Sequence, residues 1–433
     1  MNTKISFYTF GCRLNQSETA VVQQTFKIDG EYKIVDFGKP ADVVVVNTCT
    51  VTENGDTDTR KLINKINRTN PKARIALLGC QAQIQKDRLT ALPNVNWVIG
   101  NARKMDFLSI LKEEEAPKAP RVITPAIPRE SFEVPATGID PTHTRANIKI
   151  QDGCDFFCSY CEIPYARGRA RSRTFSDIIR EAAALAAAGH KELVITGINV
   201  GTYKNSKKTI IDVIDALEQI NGLKRIRISS IEPTTISFEL IKKMTKPTKL
   251  CRHLHIPLQS GNDQILKKMR RKYSVEEFGR FIHRAYDTVP QICIGTDVIV
   301  GFPGEADEFF EETAEHLREW PIHYFHVFSY SQRNMAKSQK LPEALSQQKI
   351  AARSAVLREL GLRKRRVFYK SFIGTKQKVL FEQSKKGYWT GLTDHYIRVK
   401  VKSDRKLNNA FLKIKMETLD RQAIIGTLDQ PDE

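Results

Sequence analysis

Gln151-Asp-Gly-Cys-Asp-Phe-Phe-Cys-Ser-Tyr-Cys161 is the stretch from which the rest of the chain can be read. Its cysteines, Cys154, Cys158 and Cys161, are spaced C-x3-C-x2-C and directly follow the β-rich run 146–151. Three thiolates on one tight loop can hold a metal or an iron–sulfur cluster. A structural zinc site calls for a fourth protein ligand, and this loop offers no fourth Cys and no His. A zinc loop with a remote fourth ligand is the competing reading. A four-iron cluster usually takes four Cys, so three of them leave one iron open to a ligand.

Outward from the loop, region 142–370 alternates strand and helix. Strands are expected at 146–151, 192–196, 224–229, 253–257, 293–300 and 323–330, with long helices at 176–188, 210–219, 274–286 and 305–319. Ser274-Val-Glu-Glu277 is a capping box. Six parallel strands without a seventh or eighth predict a partial (β/α)6 barrel. Such folds place their chemistry at the carboxyl ends of the strands, where the cysteine loop lies. The region closes with a basic bridge, 331–370, carrying 11 Lys/Arg against two Glu.

Upstream, 1–112 pairs β-rich runs at 4–10, 43–46 and 74–78 with amphipathic segments starting near 16, 59 and 84, which predicts a parallel sheet covered by helices. Between the two, 113–141 holds Pro117, Pro120, Pro125, Pro128, Pro135 and Pro141, a third of the 18 prolines, and reads as a partly extended linker. At the other end, 371–433 alternates strand-like runs at 377–381, 388–392, 396–401, 411–415 and 423–427 with turns, predicting a small antiparallel β-barrel. The expected fold class is α/β multidomain.

Three further cysteines each follow an expected strand of the first region: Tyr8-Thr-Phe-Gly-Cys12, Val46-Asn-Thr-Cys49 and Leu77-Leu-Gly-Cys80. Carboxyl ends of adjacent parallel strands lie about 4.8 Å apart, so loops just beyond them can converge on a second cluster, again with an open iron. A single such Cys is commonly just buried; three at three strand ends are harder to explain that way. Cys251 and Cys293 lack this context and read as core thiols. The eight cysteines, without a secretory leader or membrane-length apolar run, point to metal or redox chemistry in a reducing cytoplasm. The formal charge of +20 favours a polyanionic partner such as nucleic acid.

The C-x3-C-x2-C loop, with Tyr160 before its last Cys and on the first strand–helix loop of a six-stranded partial barrel, resembles the radical S-adenosylmethionine superfamily. Adding the trio Cys12, Cys49 and Cys80, the basic charge and the terminal barrel, nearly the whole chain is similar to the methylthiotransferase family, with its TRAM-type RNA-binding barrel. Thr9-Phe-Gly-Cys-Arg-Leu-Asn-Gln-Ser-Glu18 and Tyr160-Cys-Glu-Ile-Pro-Tyr-Ala-Arg-Gly-Arg-Ala-Arg-Ser172 most resemble the subfamily acting on N6-threonylcarbamoyladenosine in tRNA. Glu162 departs from the resemblance, which leads one to expect an apolar residue there.

The resemblance implies two [4Fe-4S] clusters and S-adenosylmethionine as radical source and methyl donor. The cluster on Cys154, Cys158 and Cys161 yields a 5′-deoxyadenosyl radical that removes hydrogen from C2 of the adenine, and the cofactor carries this hard step. The cluster on Cys12, Cys49 and Cys80 supplies sulfur, which a second S-adenosylmethionine methylates. Cofactor contacts are expected at Tyr160, Gly197, Asn199, Ser229, Glu232, Gln259, Asp297 and Gly301; for each alone, a plain turn or cap is an equal reading. No protein acid or base is assigned, and His253, His255, His323 and His326 read as structural.

For RNA, the anticodon stem-loop being the expected target, the candidates are the alternating Arg167, Arg169, Arg171 and Arg173, which share a face if extended, and the run Arg363, Lys364, Arg365 and Arg366. In the terminal barrel they are Lys385, Lys386, Arg398 and Lys400, near Phe381, Tyr388, Trp389 and Tyr396, of which half are expected in the core. A solvated charged face is the alternative for each Arg. A monomer is expected, served by an external electron donor and a sulfur donor the sequence does not identify. Isopentenyladenosine in tRNA, or an aspartate of a ribosomal protein, are rival substrates. A non-enzymatic iron–sulfur RNA-binding protein is the rival class, disfavoured because electron carriers usually ligate their clusters fully.

Overall fold

The computed structural model describes residues 3–50, 53–140 and 143–429. Pro141, the expected boundary at 141–142 and the last residues 430–433 lie outside them. The first sheet is parallel and six-stranded, in the order Lys33–Ile34, Lys4–Thr9, Val43–Thr48, Arg74–Gly79, Val95–Ile99, Arg121–Ile123. Its centre is Val43–Thr48, buried at every position, as a strand covered on both faces must be. Helix Arg13–Asp29 starts directly after Cys12 and stops at Gly30, whose left-handed backbone caps it.

The proline-rich stretch is more than a connector. Arg121–Ile123 adds the sixth strand to the sheet. Farther on, Val134 and Ala136 are buried against Val21, and Gly138 N–H donates to Glu181 at 2.9 Å.

The middle region carries six strands in two three-stranded parallel sheets: Arg145–Lys149, Glu192–Thr196 and Arg225–Ile228; then His253–His255, Cys293–Val300 and Tyr324–Ser329. The Ile226–Leu250 bridge and the contacts between Arg225–Ile228 and His253–His255 join them into the expected partial barrel. Its largest core cluster packs helices such as Phe175–Ala187 and Val275–Thr288 on the outside. The latter starts at the Ser274–Glu277 capping box. Odd-numbered positions of Cys293–Val300 face the other way, into the lumen, so Asp297 and Ile299 line it. The basic bridge is largely one helix, Gln347–Lys370, packed on Tyr324–Ser329.

The last five strands, Lys376–Lys385, Tyr388–Leu392, Arg398–Lys402, Phe411–Asp420 and Ala423–Leu428, close a barrel. One pair, Arg398–Lys402 with Ala423–Leu428, is parallel, so the barrel is not wholly antiparallel. No described helix is long and apolar enough to cross a membrane.

Candidate functional site

The strand ends of the first sheet bring the three separate cysteines together. Gly11 has φ +86°, and a Cβ there would stand 2.6 Å from Cys49 Sγ. Only glycine lets the backbone before Cys12 come so close to the second thiol. Cys12 and Cys80 are near enough for their charges to interact, and both feel Arg167. Cys80 opens the short helix Cys80–Ile84 and receives two donors, Arg167 Nε at 3.2 Å and Asn101 Nδ2 at 3.5 Å.

The second trio follows the first strand of the partial barrel. Gly153, at φ +69°, passes so close to the Arg169 carbonyl that any side chain would collide with it. Phe157 also adopts φ +51°, a conformation costing about 1–3 kcal/mol for a non-glycine residue, and lies under the Arg169 guanidinium. All three thiols are half-buried and charge-coupled. Burial, then the Cys158 charge, pushes Cys161 up; burial pushes Cys154 up to about 11. Neutral Cys154 and Cys161 thiols suit this pocket until a cation arrives to take them as thiolates. Arg271 Nη1 donates to Cys158 Sγ and to Tyr160 Oη, both at 3.3 Å, and pairs with Glu232. Each trio thus has one guanidinium on one sulfur.

The two trios are joined through buried polar groups. Glu18, on the helix that follows Cys12, meets Arg167, Lys104 and Lys149. Asp152, just before Cys154, meets Arg167 and Lys149 at 3.0 and 2.6 Å. Burial opposes the charge on Glu18, but Arg167, Lys104 and Lys149 outweigh it and hold the carboxyl well below its usual range. Lys104 is pushed down to about 8 by burial despite Glu18. On the other side, Glu162 accepts from Thr50 Oγ1, next to Cys49, at 3.2 Å, from Arg333 Nε at 3.0 Å and from Met335 N at 2.9 Å. This explains a buried carboxylate where an apolar residue is expected.

Two sequence expectations are corrected here. Arg167 and Arg173 are fully buried. Arg167 is consumed by Glu18, Asp152, Asn15 and Cys80; Arg173 is consumed by Asp177 and Glu181. Neither can present its charge to a phosphate. The four arginines are not one stripe, because the chain is helical over Ile163–Arg167 and turns at Gly168 before the short strand Arg171–Ser172. Arg169 remains exposed beside Asp155, and Arg171 is half-buried over Phe132.

Four of the eight expected cofactor contacts line two cavities flanking the cysteine loop. One, of 310 Å³, has Cys154, Arg171 and Asn199 in its wall. Asn199 N–H donates to Gln151 Oε1 at 2.8 Å, and its Nδ2 is buried with no hydrogen-bond partner. The other, of 190 Å³, brings together Tyr160, Gln259 and Asp297. Gln259 takes φ +69° and is pinned to Asp297 O at 2.8 Å. Gly197 sits against Gln151, and Glu232 reaches the loop through Arg271. Burial pushes Glu232 up against the pull of Arg271. Ser229 only continues the ladder to Ile195. Gly301, at φ +83°, lies against Ile350 of the long helix and lines a separate cavity.

Sequence reasoning did not single out Arg271, Glu18, Lys104 or Asn101. The Arg270-Arg-Lys272 run, and the positions of Asn15 and Glu18 on one face of a helix, are the signals that carry them. Nor did it group His255 Nε2 and His326 Nδ1, which lie 2.9 and 3.1 Å from Asp297 Oδ1. Among the RNA candidates, Arg363, Arg366, Lys385, Lys386 and Arg398 are exposed. Lys364 instead donates to the Arg318 and Trp320 carbonyls, and Lys400 pairs with Asp420. Phe381 is core; Tyr396 is turned onto Arg13 and His253. Cys251 and Cys293 are buried.

Comparison with known proteins agrees with this layout. The Radical SAM superfamily profile matches residues 148–317, and that of the family described as Uncharacterized protein family UPF0004 matches residues 4–100. The chain is 37% identical to the threonylcarbamoyladenosine tRNA methylthiotransferase MtaB of Aquifex aeolicus, over 92% of this chain and 96% of that one. It is 32% identical to a tRNA-2-methylthio-N(6)-dimethylallyladenosine synthase of Thermodesulfovibrio yellowstonii, over 97% of each. Its fold is similar to the radical S-adenosylmethionine methyltransferase TsrM of Kitasatospora setae, with a TM-score of 0.55, 14% identity and coverage of 76% and 72%.

Proposed function

The chain belongs to the methylthiotransferase family of radical S-adenosylmethionine enzymes, and from that premise we propose that it adds a methylthio group to C2 of N6-threonylcarbamoyladenosine at position 37 of tRNA. One observation supports the reading: one trio of thiols follows strands of the first sheet, the other follows Gln151–Asp152, each has a guanidinium on a sulfur, and buried Arg167 ties Cys80 of the one to Asp152 beside the other. The substrate base is taken from the relative of the same activity and from the resemblance of residues 9–18 and 160–172.

The residues present fit the implied groups. Each trio offers sulfur donors alone, which suits iron, and three rather than four, which leaves a site for another ligand. The buried, unpartnered Asn199 amide beside Cys154 is a donor waiting for an acceptor. When bound, the clusters and S-adenosylmethionine supply the radical that takes hydrogen from C2 and the methylated sulfur that replaces it.

The chain's own residues hold and orient. Cys154, Cys158 and Cys161 are the ligands of the radical-forming cluster, and Cys12, Cys49 and Cys80 those of the sulfur-donating one. Arg271 and Arg167 hydrogen-bond one sulfur in each and lock it in place. Asn199 lines the cavity on one side of the Cys154–Cys161 loop, and Tyr160, Gln259 and Asp297 line the cavity on the other; these are the spaces for cofactor and base. The Glu18 network and Glu162 fix the distance between the trios. Arg169, Arg363, Arg366, Lys385 and Lys386 are the exposed cations for the phosphates of the anticodon stem-loop, whose binding weakens with salt. An external electron donor and a sulfur source serve the reaction in the cytoplasm.

Anaerobic reconstitution tests the reading. About eight irons per chain are expected for two four-iron clusters, with release of 5′-deoxyadenosine from S-adenosylmethionine. An iron-loaded protein that releases none is not this enzyme.

A further inference from the structure

Away from the cysteine loop, the barrel lumen continues into a cavity of 230 Å³ where the C-terminal barrel meets it. Its wall includes Arg145, Arg365, Arg398, His326, Tyr324 and Tyr396. Three guanidiniums and one carboxylate, Glu382, are in this wall; Arg145 Nε donates to Glu382 at 2.6 Å, and Arg145 also feels Glu192. Arg145 Nη1 is buried and has no hydrogen-bond partner. Arg365 lies 5.3 Å over the Tyr324 ring. Among the described residues, neither Arg365 nor Arg398 has a carboxylate partner. A half-enclosed space with surplus guanidinium and an orphan buried N–H calls for an anion.

The cavity's position says which anion. His326 lines it, and the same imidazole hydrogen-bonds Asp297, which lines the cavity containing Tyr160 beside Cys161. The cationic space is therefore one side chain removed from the cavity that contains Tyr160. A base seated by the cysteine loop would extend a substituent in this direction, whereas a backbone phosphate belongs on the outer surface.

We propose that this cavity binds the carboxylate of the substituent on N6 of the target adenosine, with Arg365 as its main partner. It rests on the threonylcarbamoyladenosine reading above and gives that reading a physical basis: the threonine carboxylate meets a planar fork of donors. The apolar isopentenyl group would leave the half-buried Arg365 and the Arg145 Nη1 donor without an acceptor, and sites built around polar partners reject ligands that lack them. Tyr324 and Tyr396 supply flat walls for the amide-bonded, planar part of the substituent.

The test uses the full chain and three anticodon stem-loop RNAs, carrying threonylcarbamoyladenosine, the same base with its threonine carboxylate converted to an amide, or isopentenyladenosine. Wild-type protein binds the first on the order of 10- to 100-fold more tightly than the amide, as expected for a lost charge-assisted hydrogen bond. Arg365→Gln removes that preference while binding the amide RNA as before, and raises KM for the carboxylate RNA with little change in kcat. If Arg365→Gln does not fold, as shown by its melting curve, Arg398→Gln must narrow the same preference. Equal weakening toward acid and amide RNA would mean a backbone phosphate occupies the cavity and overturns the proposal; so would a wild type that does not distinguish them. A wild type that methylthiolates isopentenyl RNA and not threonylcarbamoyl RNA overturns the functional reading itself, and the proposal falls with it.

Discussion

Replacing Glu18 by glutamine tests the interface between the two trios. Glu18 is fully buried and is the only carboxylate partner of Lys104 among the described residues. Removing its charge strands Lys104, whose pKa is already pushed down to about 8, and leaves Arg167 and Lys149 to share Asp152. Breaking a buried ion pair by deleting one partner costs about 3–5 kcal/mol, and Glu18→Gln should lie at the upper end. Arg167→Met should cost less, about 3 kcal/mol. Lys104 and Lys149 still serve Glu18, and Lys149 and Arg171 still serve Asp152. The double substitution should cost less than the sum by about 0.5–3 kcal/mol, because the partners are in contact. The assay is urea unfolding of the cluster-free protein at pH 7, followed by circular dichroism. Because the charges are buried, the ordering should persist in about 1 M salt. The reasoning fails if Glu18→Gln is within about 1 kcal/mol of wild type or is milder than Arg167→Met.

Gly11→Ala places a Cβ against Cys49 Sγ in a left-handed backbone, so reconstituted iron should fall from about eight toward about four per chain while 5′-deoxyadenosine release persists; unchanged iron would refute the close-approach argument. His323 is held down at about 4, against an ordinary 6.5, by burial and then by Lys364. The unfolded chain therefore takes up the proton first as pH falls, and stability present above pH 6.5 is lost toward pH 4 at up to about 1.4 kcal/mol per pH unit. His323→Gln should flatten that loss in urea titrations at several pH values; an equally steep fall would show that other groups cause it. Removing Arg363 and Arg366 together should lower the salt slope of tRNA binding by about 1.4–1.8 if both contact phosphates, and a wild-type slope would exclude them from the interface.

Much of this was legible in the sequence, for identifiable reasons. Cys154, Cys158 and Cys161 are local, so spacing suffices. Cys12, Cys49 and Cys80 are far apart, but each ends a β-rich run, and a parallel sheet turns such ends into neighbours. What stayed hidden depends on pairing that no local pattern encodes. Lys33–Ile34 is too short to register, and Arg121–Ile123 lies among prolines that suggest a linker. Arg167 and Arg169 look alike in the chain, yet one meets Glu18 and Asp152 from distant segments and the other meets solvent. The cationic cavity draws Arg145, Arg365 and Arg398 from three distant segments, so only the fold assembles it.

The most direct test is mass spectrometry of tRNA nucleosides from cells lacking this protein. The account predicts that the methylthio group disappears from threonylcarbamoyladenosine while isopentenyladenosine keeps its own, and that the wild-type gene restores it but one encoding Cys154→Ala does not. An unchanged nucleoside profile, or loss confined to isopentenyladenosine, would contradict it.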